Sequence, residues 1–408
     1  MNCRHCGSPV ELPFIDLGSA PPSNAFLTVE TLSAPEKWYP LRVLVCTQCW
    51  LVQTQDYAHF AELFSPDYAY FSSFSASWLA HAQRYVQGMV RRLGLSRSSM
   101  VIEVAANDGY LLQYVKAAGI PCLGIEPTAS TASAARGKGL EIDEEFFGTA
   151  LAAKLIERGK AADLLIANNV LAHVPDINDF VAGFATLLKP EGVATFEFPH
   201  LLNLVRENQF DTIYHEHFSY LSLGTVRRIF DRNGLDIFDV EEIPTHGGSL
   251  RVFTQRKDRG RRSVEDRVEG LAAREKLAEM EIPEFYQGFQ KRADNVKNDL
   301  LAFLIDAQRS GKKVAAYGAA AKGNTLLNYA GVRSDLLGYV VDRNPAKRGR
   351  FLPGSRIPIV DESRLKVEKH EFVVILPWNL SDEIMRQMKY IRSWQGRFVR
   401  AVPTLEVR

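Results

Sequence analysis

Four of the five cysteines form two C-x2-C pairs, Cys3 with Cys6 and Cys46 with Cys49. Two such pairs can present four thiolates to one tetrahedral ion, the ligand set of a closed structural zinc site. Disulfides or a redox pair could use the same residues, but an intracellular chain disfavours disulfides, and the repeated spacing is typical of zinc-ribbon turns. We therefore predict structural Zn2+ on these cysteines, with no open position for catalysis. His5, inside the first pair, is expected to face solvent.

Residues 212–220 hold the densest group of titratable and aromatic side chains, including Tyr214, His215, Glu216 and His217. The histidines are two residues apart, so the H-E-x-x-H spacing of zinc proteases is absent from the segment. In an extended segment His215 and His217 would share one face, and Tyr214 and Glu216 the other. Histidine titrates near neutral pH and Glu or Tyr can orient it, so the segment favours acid–base chemistry over metal binding. Hydrogen-bonded core residues are the alternative.

Two other residues could join such a site. His173 follows a hydrophobic segment that ends at residue 167, and Tyr70 precedes the hydroxyl-rich stretch 71–75. Each side chain is equally compatible with catalysis and with packing.

A third pattern lies at residues 100–109, where a hydrophobic segment runs into Glu103-x-Ala105-x-Asn107-Asp108-Gly109. In an open α/β sheet, ligands bind beyond the carboxyl ends of the strands, where a small-residue turn lets the backbone approach them. A second segment, 122–125, ends at Glu126, where a carboxylate could accept both hydroxyls of a ribose. A dinucleotide site would fit, but the G-x-G-x-x-G fingerprint is missing.

The arrangement instead resembles motif I of class I S-adenosylmethionine (SAM) methyltransferases, E-x-G-x-x-x-G, with Ala105 in place of the first glycine. Asn107, Asp108 and Gly109 remain suited to the methionine end of SAM, and Asn169 is placed to meet it after its own strand. An ordinary strand–helix turn without a ligand is the alternative.

The C-terminal part carries a small-residue turn at residues 318–325, with Gly318 and Lys322. It lacks the G-K-[ST] ending of a nucleoside-triphosphate P-loop. A turn at a helix N-terminus with a lysine makes a good diphosphate cradle, whereas a plain helix start would look the same.

Composition narrows the class of protein. The chain has 408 residues, 49 basic and 48 acidic, giving a net charge of +1. Near-zero charge argues against nucleic-acid binding, and an apolar run of the ~20 residues that a membrane span needs is absent from the sequence. With no signal peptide recognised at the start, we expect a cytoplasmic protein, and without coiled-coil heptads a monomer.

The elements that must position these residues alternate between strand and helix. We predict strands over 100–105, 122–125, 164–167 and 192–198, with helices over 75–95, 109–118, 131–138 and 177–188. A single charged connecting helix is predicted over 263–309. A second α/β unit follows, with strands at 313–317, 337–341 and 372–376 and helices at 322–330 and 382–388.

The motifs together, in this order along the chain, resemble the SAM-dependent sugar C-methyltransferases that make branched deoxysugars, such as the C-3 methyltransferase of the tetronitrose pathway. The resemblance rests on the two cysteine pairs, the motif I variant and residues 171–175, 214–218, 245–251 and 317–323. It implies an α/β protein with an N-terminal zinc-binding domain (1–70), a central class I SAM methyltransferase domain (71–262), and the connecting helix with a C-terminal Rossmann-like domain (263–408).

The resemblance also implies an activity and a set of roles. The family methylates carbon 3 of a nucleotide-linked 4-keto-6-deoxyhexose through an enolate. His217 matches the family's base and Glu216 its neighbouring glutamate, while Tyr214, Tyr70 and His173 match other active-site residues. The C-terminal turn would hold the substrate's diphosphate, with help from Asn324, Trp378 and Asn379.

Two other hypotheses remain open at this point. One is an O- or N-methyltransferase acting on a sugar or another small molecule. The other, suggested by Ala105 in motif I, is an inactive scaffold that binds zinc and a nucleotide.

Overall fold

A computed structural model describes residues 1–57 and 71–408, which form three β-sheets covered by helices. The first sheet has four antiparallel strands in the order β1-β2-β3-β9. Their bounds are β1 (Leu12–Ala20), β2 (Tyr39–Val45), β3 (Val52–Thr54) and β9 (Ser219–Tyr220). The last strand directly follows the His-Glu-His segment, so that segment is attached to the N-terminal sheet by its own chain.

The second sheet has seven strands in the order β10-β11-β8-β7-β4-β5-β6. The strands β4 to β8 pair in parallel, and β11 and β10 continue the sheet antiparallel. Buried on both faces, β4 reads as an almost continuous apolar run, as a central parallel strand does. The bounds are β4 (Val101–Val104), β5 (Cys122–Ile125), β6 (Ile142–Asp143), β7 (Ala162–Asn168), β8 (Leu188–Pro199), β10 (Leu235–Ile243) and β11 (Ser249–Arg256).

Strand order reverses between β4 and β7, because the chain passes from β4 to β5 and β6 on one side and returns to β7 on the other. Such a switch point opens a crevice at the carboxyl ends of the strands, where ligands of open α/β sheets bind. Glu103, Glu126 and Asn169 all lie in or after strands that end at this edge.

The third sheet has the order β14-β13-β12-β15-β16-β17, parallel except for the last strand. Its own switch point lies between β12 and β15, which precede residues 318–322 and 378–379 respectively. The bounds are β12 (Val314–Tyr317), β13 (Val340–Val341), β14 (Ile359–Val360), β15 (Phe372–Ile375), β16 (Arg397–Arg400) and β17 (Glu406–Val407).

The helices cover the two parallel sheets. The first of them begins at an N-cap where the Ser75 hydroxyl accepts the Trp78 N–H, and Gly94 ends it in the left-handed conformation. The bounds are α1 (Ala76–Leu93), α2 (Leu112–Ala117), α3 (Ala129–Gly137), α4 (Thr149–Glu157), α5 (Ile177–Leu187), α6 (Leu201–Arg206), α7 (Leu223–Arg232), α8 (Asp266–Leu277), α9 (Phe289–Arg309), α10 (Ala321–Tyr329), α11 (Glu362–Glu368) and α12 (Ser381–Gln387).

The prediction of one connecting helix over 263–309 is wrong. Two helices, α8 and α9, occupy that stretch, separated by a 3-10 turn at Pro283–Tyr286. Pro283 cannot continue an α-helix and holds Ile282 extended, and Gly288 takes a left-handed conformation with φ of 76° before α9 begins. Charge and helix propensity dominated the sequence pattern and obscured this break.

One hydrophobic core joins the first and third sheets. Phe14 of β1 stacks on Phe289 of α9 with ring centroids 4.4 Å apart, and Tyr286 meets Phe14 edge-on. The same core continues to Val340 and Val374 in the third sheet. Among the described residues, no helix combines the length and the apolar character that a membrane crossing requires. The N-terminal sheet is therefore packed on the C-terminal domain through α9.

Candidate functional site

The four paired cysteines converge. Their sulfur atoms all lie within 4.8 Å of one another, with 3.5 Å between Cys3 and Cys49 and also between Cys6 and Cys46. None of them forms a disulfide. Four thiolates around one zinc ion at 2.3 Å would be separated by roughly 3.8 Å, so the cluster fits a closed tetrahedral site after small adjustments.

Hydrogen bonds connect the cysteine pairs to other parts of the chain. Gln53 donates to the Cys3 sulfur at 3.3 Å and accepts the Arg4 N–H at 3.0 Å. The expectation that His5 faces solvent is wrong, because its ring is buried and bonds the Asn178 side chain at 2.8 Å. The metal site is thereby attached to the helices of the central domain.

The motif I turn is built from left-handed residues. Ala105, Asn107 and Gly109 have φ values of 58°, 49° and 75°. A side chain at Gly109 would meet the Leu140 methyl at 2.3 Å, so this glycine is required by space as well as by conformation. Ala105 adopts a conformation that glycine would take without strain, which explains why glycine is usual at that position of the motif.

Polar side chains surround the turn. Asn107 accepts the Ser72 N–H at 2.9 Å, and Asp108 accepts the Ser73 N–H at 3.3 Å and lies 3.5 Å from the Lys138 ammonium. These contacts tie the segment before α1 to the crevice.

Glu126 is hydrogen-bonded to the same turn. Its carboxylate accepts the Asn107 N–H at 2.9 Å and the Thr128 N–H at 3.0 Å. The Thr128 hydroxyl also donates to it, so of about four lone-pair positions on a carboxylate roughly one remains for a ribose hydroxyl.

Two groups at this edge have buried polar atoms with few partners. Among the described residues, the Glu103 carboxylate interacts with the Tyr110 hydroxyl, and the Asn169 amide has no hydrogen-bond partner although its polar atoms are shielded from water. Burial raises the pKa of Glu103 well above its ordinary range. Buried polar groups are almost always paired, so these atoms fit a polar ligand in the crevice, as the amino acid and ribose parts of SAM would be.

The His-Glu-His segment is a turn and not an extended segment, so the side chains do not divide between two faces as they would in a strand. The His217 N–H donates to the Tyr214 carbonyl at 2.9 Å, which reverses the chain at residues 214–217, called the catalytic turn after the role proposed for it below. His215 consequently points away and bonds the Tyr39 carbonyl. Tyr214 and His217 instead share a side, with ring centroids 3.9 Å apart. A sequence pattern of period two cannot reveal a turn closed by one backbone hydrogen bond.

His217 has a fixed tautomer. Its Nδ1 lies 2.8 Å from the Thr212 carbonyl, and because a carbonyl only accepts, Nδ1 carries the proton. The lone pair is therefore on Nε2. His173, in the 3-10 turn Leu171–His173 after β7, lies edge-on to this ring with centroids 4.5 Å apart. The two histidines form a pair beyond the carboxyl end of β7.

Burial first, and then the charges around it, lower the pKa of His217 well below its ordinary value. The groups that lower it further are His173, His246 and Lys322, while the Thr212 carbonyl opposes them. Burial also lowers the pKa of His173 to about 4. Both rings are therefore neutral at neutral pH, and Nε2 of His217 can accept a proton.

Glu216 is buried and faces the N-terminal domain. Its carboxylate accepts both hydrogen bonds of the Asn24 amide, at 2.8 and 2.9 Å. Tyr70 lies outside the described residues.

The C-terminal candidates gather at the second switch point. Lys322 donates to the Asn379 side chain at 2.8 Å and lies 4.6 Å above the Trp378 ring. Trp378 donates its indole N–H to Asp211 at 2.8 Å. Asp211 is fully buried, which raises its pKa to about 6 against the opposing charge of Lys322. Lys322, Trp378 and Asn379 are here called the C-terminal cradle. Because Asp211 lies three residues before Tyr214, the bond between Trp378 and Asp211 joins this cradle to the catalytic turn.

Two other candidates have internal roles. A side chain at Gly318 would meet Pro377 at 2.5 Å, so close packing alone accounts for that glycine. Asn324 is buried, donates to the Ser23 carbonyl at 3.4 Å and bonds Asn328. The structure thus brings Lys322, Trp378 and Asn379 together and directs Asn324 toward the N-terminal domain.

Asp211 and Asn24 could not be recognised from the sequence as neighbours of the site, and His246 stood out only within the segment 245–251. His246 is a left-handed residue with φ of 54° in the turn between β10 and β11, and its ring meets Trp78 edge-on at 5.3 Å. A side chain at the next residue, Gly247, would meet the Trp378 ring at 2.5 Å. The His-Gly-Gly sequence was the available signal, since consecutive glycines mark a turn in close contact.

Comparison with known proteins places the whole chain. Three family models match in succession: "Putative zinc binding domain" over residues 3–64, "Methyltransferase domain" over 78–240, and "C-methyltransferase C-terminal domain" over 244–403. The C-methyltransferase NovU of Streptomyces niveus is 32% identical over 401 residues, which cover 98% of this chain and 95% of that protein.

Solved structures resemble part of the chain. Magnesium protoporphyrin IX methyltransferase (ChlM) from Synechocystis PCC 6803 with bound SAM is 18% identical, covers 44% of this chain and 81% of its own, and has a TM-score of 0.34. The PH0226 protein from Pyrococcus horikoshii OT3 is 15% identical, covers 46% of this chain and 95% of its own, and has a TM-score of 0.39.

The zinc-binding model spans both cysteine pairs, whose four sulfur atoms lie close together, so structural zinc is a cofactor of this chain and the cluster fits it. The residues at the β4–β7 switch point fit SAM as the cofactor. From the relative that matches it end to end and the family models along its length, this chain belongs to the SAM-dependent C-methyltransferases.

Proposed function

We propose that this enzyme transfers a methyl group to carbon 3 of a nucleotide-linked 4-keto-6-deoxyhexose through an enolate. The substrate comes from the resemblance of the motifs to sugar C-methyltransferases. The observation that carries the proposal is the state of His217, whose Nδ1–H is held by the Thr212 carbonyl and whose Nε2 lone pair belongs to a neutral ring.

A ketone next to a C–H bond makes that bond weakly acidic, and removal of its proton needs a positioned base. In the proposed reaction His217 Nε2 takes the proton from carbon 3, and the electron pair of the broken C–H bond moves into the enolate with its charge on the C-4 oxygen. That carbon then forms a bond to the methyl group while the bond from methyl to sulfur breaks. SAM supplies the electrophilic methyl group when bound.

Enolate stabilisation needs hydrogen-bond donors or positive charge near the C-4 oxygen. Tyr214 is stacked against the base, and His173 is edge-on to it, so both reach the same space. We assign them, with Tyr70 and Glu216, to the enolate and to the sugar hydroxyls.

The proposed sugar site lies between the two switch points. The hydrogen bond from Trp378 to Asp211, three residues before Tyr214, supports a nucleotide cradle close to the base. A diphosphate at Lys322, with Trp378 and Asn379, would hold the nucleotide there, while SAM would lie along Glu103, Asn107, Asp108, Gly109, Glu126 and Asn169. We retain the division into domains 1–70, 71–262 and 263–408 as part of the proposal.

The test is methylation of a 4-keto-6-deoxy nucleotide sugar with labelled SAM, with the product located by NMR and mass spectrometry. We expect the new methyl group on carbon 3. Replacing His217 by Ala should lower kcat by roughly 10²–10⁴-fold, the usual contribution of a general base, while SAM affinity is retained. Transfer to oxygen or nitrogen would replace the proposal by the alternative methyltransferase. Failure to bind SAM would favour a scaffold.

A further inference from the structure

Three of the four residues of the catalytic turn, 215–217, are hydrogen-bonded to the N-terminal domain, each to a different part of it. His215 donates its ring N–H to the Tyr39 carbonyl at the start of β2. The Glu216 carboxylate accepts from the amide nitrogen of Asn24 with both of its oxygens, and Asn24 belongs to the loop between β1 and β2. The His217 carbonyl accepts the Thr54 hydroxyl, at the end of β3.

Thr54 makes the closest connection to the base. Besides the bond from its hydroxyl at 2.5 Å, its N–H donates to the Phe218 carbonyl at 3.1 Å. The Phe218 N–H donates in turn to the Ala172 carbonyl at 2.8 Å, next to His173. The backbone of His217 and Phe218 is therefore held between β3 and the turn that carries the second histidine.

The residue before Thr54 reaches the metal site. Successive side chains of a strand point to opposite faces, and here Gln53 donates to the Cys3 sulfur while Thr54 donates to His217. Gln53 also pairs with Ser219 of β9, which follows the catalytic turn. Two neighbouring residues thus connect the cysteine cluster to the base through one short strand.

We propose that the zinc-binding domain is part of the active-site assembly. Thr54 is the positioning residue that holds the backbone of His217 in place. The zinc ion holds β3 in place through Gln53 and the two cysteine pairs. Removal of zinc then disorders the catalytic turn without emptying the SAM crevice, whose residues lie on the second sheet. The role assigned to His217 rests on the proposed function.

The first arm of the test observes the histidine directly. The full-length protein with 15N-labelled histidine is compared by NMR with and without zinc, removed by a chelator and measured by metal analysis. We expect the His217 signal to change from one Nδ1–H tautomer to a mixture on zinc removal. His370, whose Nδ1 bonds Tyr339 in the C-terminal domain, should keep its signal and reports that the rest of the chain is folded.

The second arm uses variants that retain the metal. Thr54→Val removes the hydroxyl while preserving shape, and a displacement of about 1 Å at a reacting group can cost roughly 10²-fold in rate. We expect kcat to fall at least about tenfold, with unchanged zinc content and an unchanged KM for SAM. Thr54→Ser should restore the rate. Thr31→Val is the matched control, since Thr31 is exposed and its hydroxyl bonds only within residues 28–31.

The two arms separate this inference from the proposed substrate. If no sugar is methylated, the tautomer of His217 in Thr54→Val and in zinc-free protein still reports the coupling. A Thr54→Val enzyme with a wild-type His217 spectrum, or zinc-free protein that keeps the single tautomer, would overturn the inference. If chelation unfolds the chain, so that His370 also changes, the zinc-loaded Thr54→Val variant decides.

Discussion

At the scale of single residues, the proposed base lies among groups that make it a weaker base. His173, His246 and Lys322 all lower the pKa of His217, and the nearest carboxylate in sequence, Glu216, is bonded to Asn24 instead. A neutral base is ready at every pH near neutrality, but a strongly lowered pKa reduces the driving force for proton transfer. An anionic diphosphate near Lys322 would offset part of that field and raise the pKa of His217 when substrate binds.

We expect two different pH profiles for kcat/KM and for kcat. A general base must be unprotonated, so the rate rises with pH through its pKa and then levels off. In the free enzyme the pKa of His217 is lowered, so the acid limb of kcat/KM should lie below pH 6.5, the ordinary value for histidine. In the substrate complex the limb of kcat should lie at higher pH than that of kcat/KM. Coincident limbs, or a limb of kcat/KM at or above pH 6.5, would contradict the electrostatic assignment.

At the scale of elements, the turn from β4 into α2 has Ala105 at the position where motif I usually has glycine. Its departure from motif I was visible in the sequence, and the left-handed φ of 58° shows that the turn is nevertheless formed. The strain of an alanine there is local, so the inactive-scaffold hypothesis loses its structural motive.

Two substitutions in this turn should act in opposite directions. Ala105→Gly relieves the left-handed strain and should raise the free energy of unfolding, by under about 1 kcal/mol, with SAM binding retained. Gly109→Ala places a methyl group against Leu140 at a φ of 75°, and should cost about 2 kcal/mol and weaken SAM binding. Thermal unfolding and calorimetric titration with SAM measure both. Equal behaviour of the two variants would show that the turn is not built as described.

The network on β8 combines Glu197 with His81 of α1 and Arg251 of β11. The Glu197 carboxylate lies 3.0 Å from both partners, and Thr245 donates to its other oxygen at 3.1 Å. Burial alone would raise the pKa of Glu197, but the His81 hydrogen bond and the Arg251 charge hold it below the ordinary value. This network fixes the turn that carries His246 against Trp78.

Removing its cation should be costly. Glu197 is fully buried and the Arg251 side chain is 9% exposed, so Arg251→Met leaves the buried carboxylate with its His81 and Thr245 hydrogen bonds but without its permanent positive charge, and should lower the free energy of unfolding by about 3–5 kcal/mol. Arg42→Met, which breaks an exposed pair with Asp16, should cost under about 1 kcal/mol. Denaturant unfolding at neutral pH compares them. A loss below about 1 kcal/mol for Arg251→Met would contradict the account of Glu197.

Because the depressed pKa of Glu197 means that the folded state favours the ionised carboxylate, this contribution to stability is present above the ordinary glutamate pKa. It is lost as the pH falls through the lowered value. The stability difference between wild type and Arg251→Met should therefore shrink in acid, which the same unfolding measurements detect.

At the scale of the whole molecule, three sheets meet around one catalytic turn. Local patterns predicted the alternation of strands and helices and the cysteine cluster, because periodicity and ligand spacing are local properties, while the roles at the second switch point came from the family resemblance. Contacts between distant segments were invisible to those patterns. Asn24 on Glu216, Thr54 on His217 and Trp378 on Asp211 join residues that are 163 to 192 positions apart.

The same limit explains the errors. The catalytic turn reverses because one backbone hydrogen bond and three partners from the N-terminal domain hold it, and nothing in the H-E-H sequence encodes those partners. His5 is buried because Asn178 of α5 covers it. Only the folded chain brings such residues together.

The most direct test of the central claim is exchange of the carbon 3 proton of a 4-keto-6-deoxy nucleotide sugar in deuterated water. The protein is loaded with the demethylated product of SAM, so that no methyl transfer follows. The account predicts enzyme-dependent uptake of deuterium at carbon 3, followed by NMR, and its loss in His217→Ala. If the enzyme transfers the methyl group of SAM to carbon 3 but the His217→Ala variant still exchanges deuterium at the wild-type rate, the assignment of His217 as the base is contradicted.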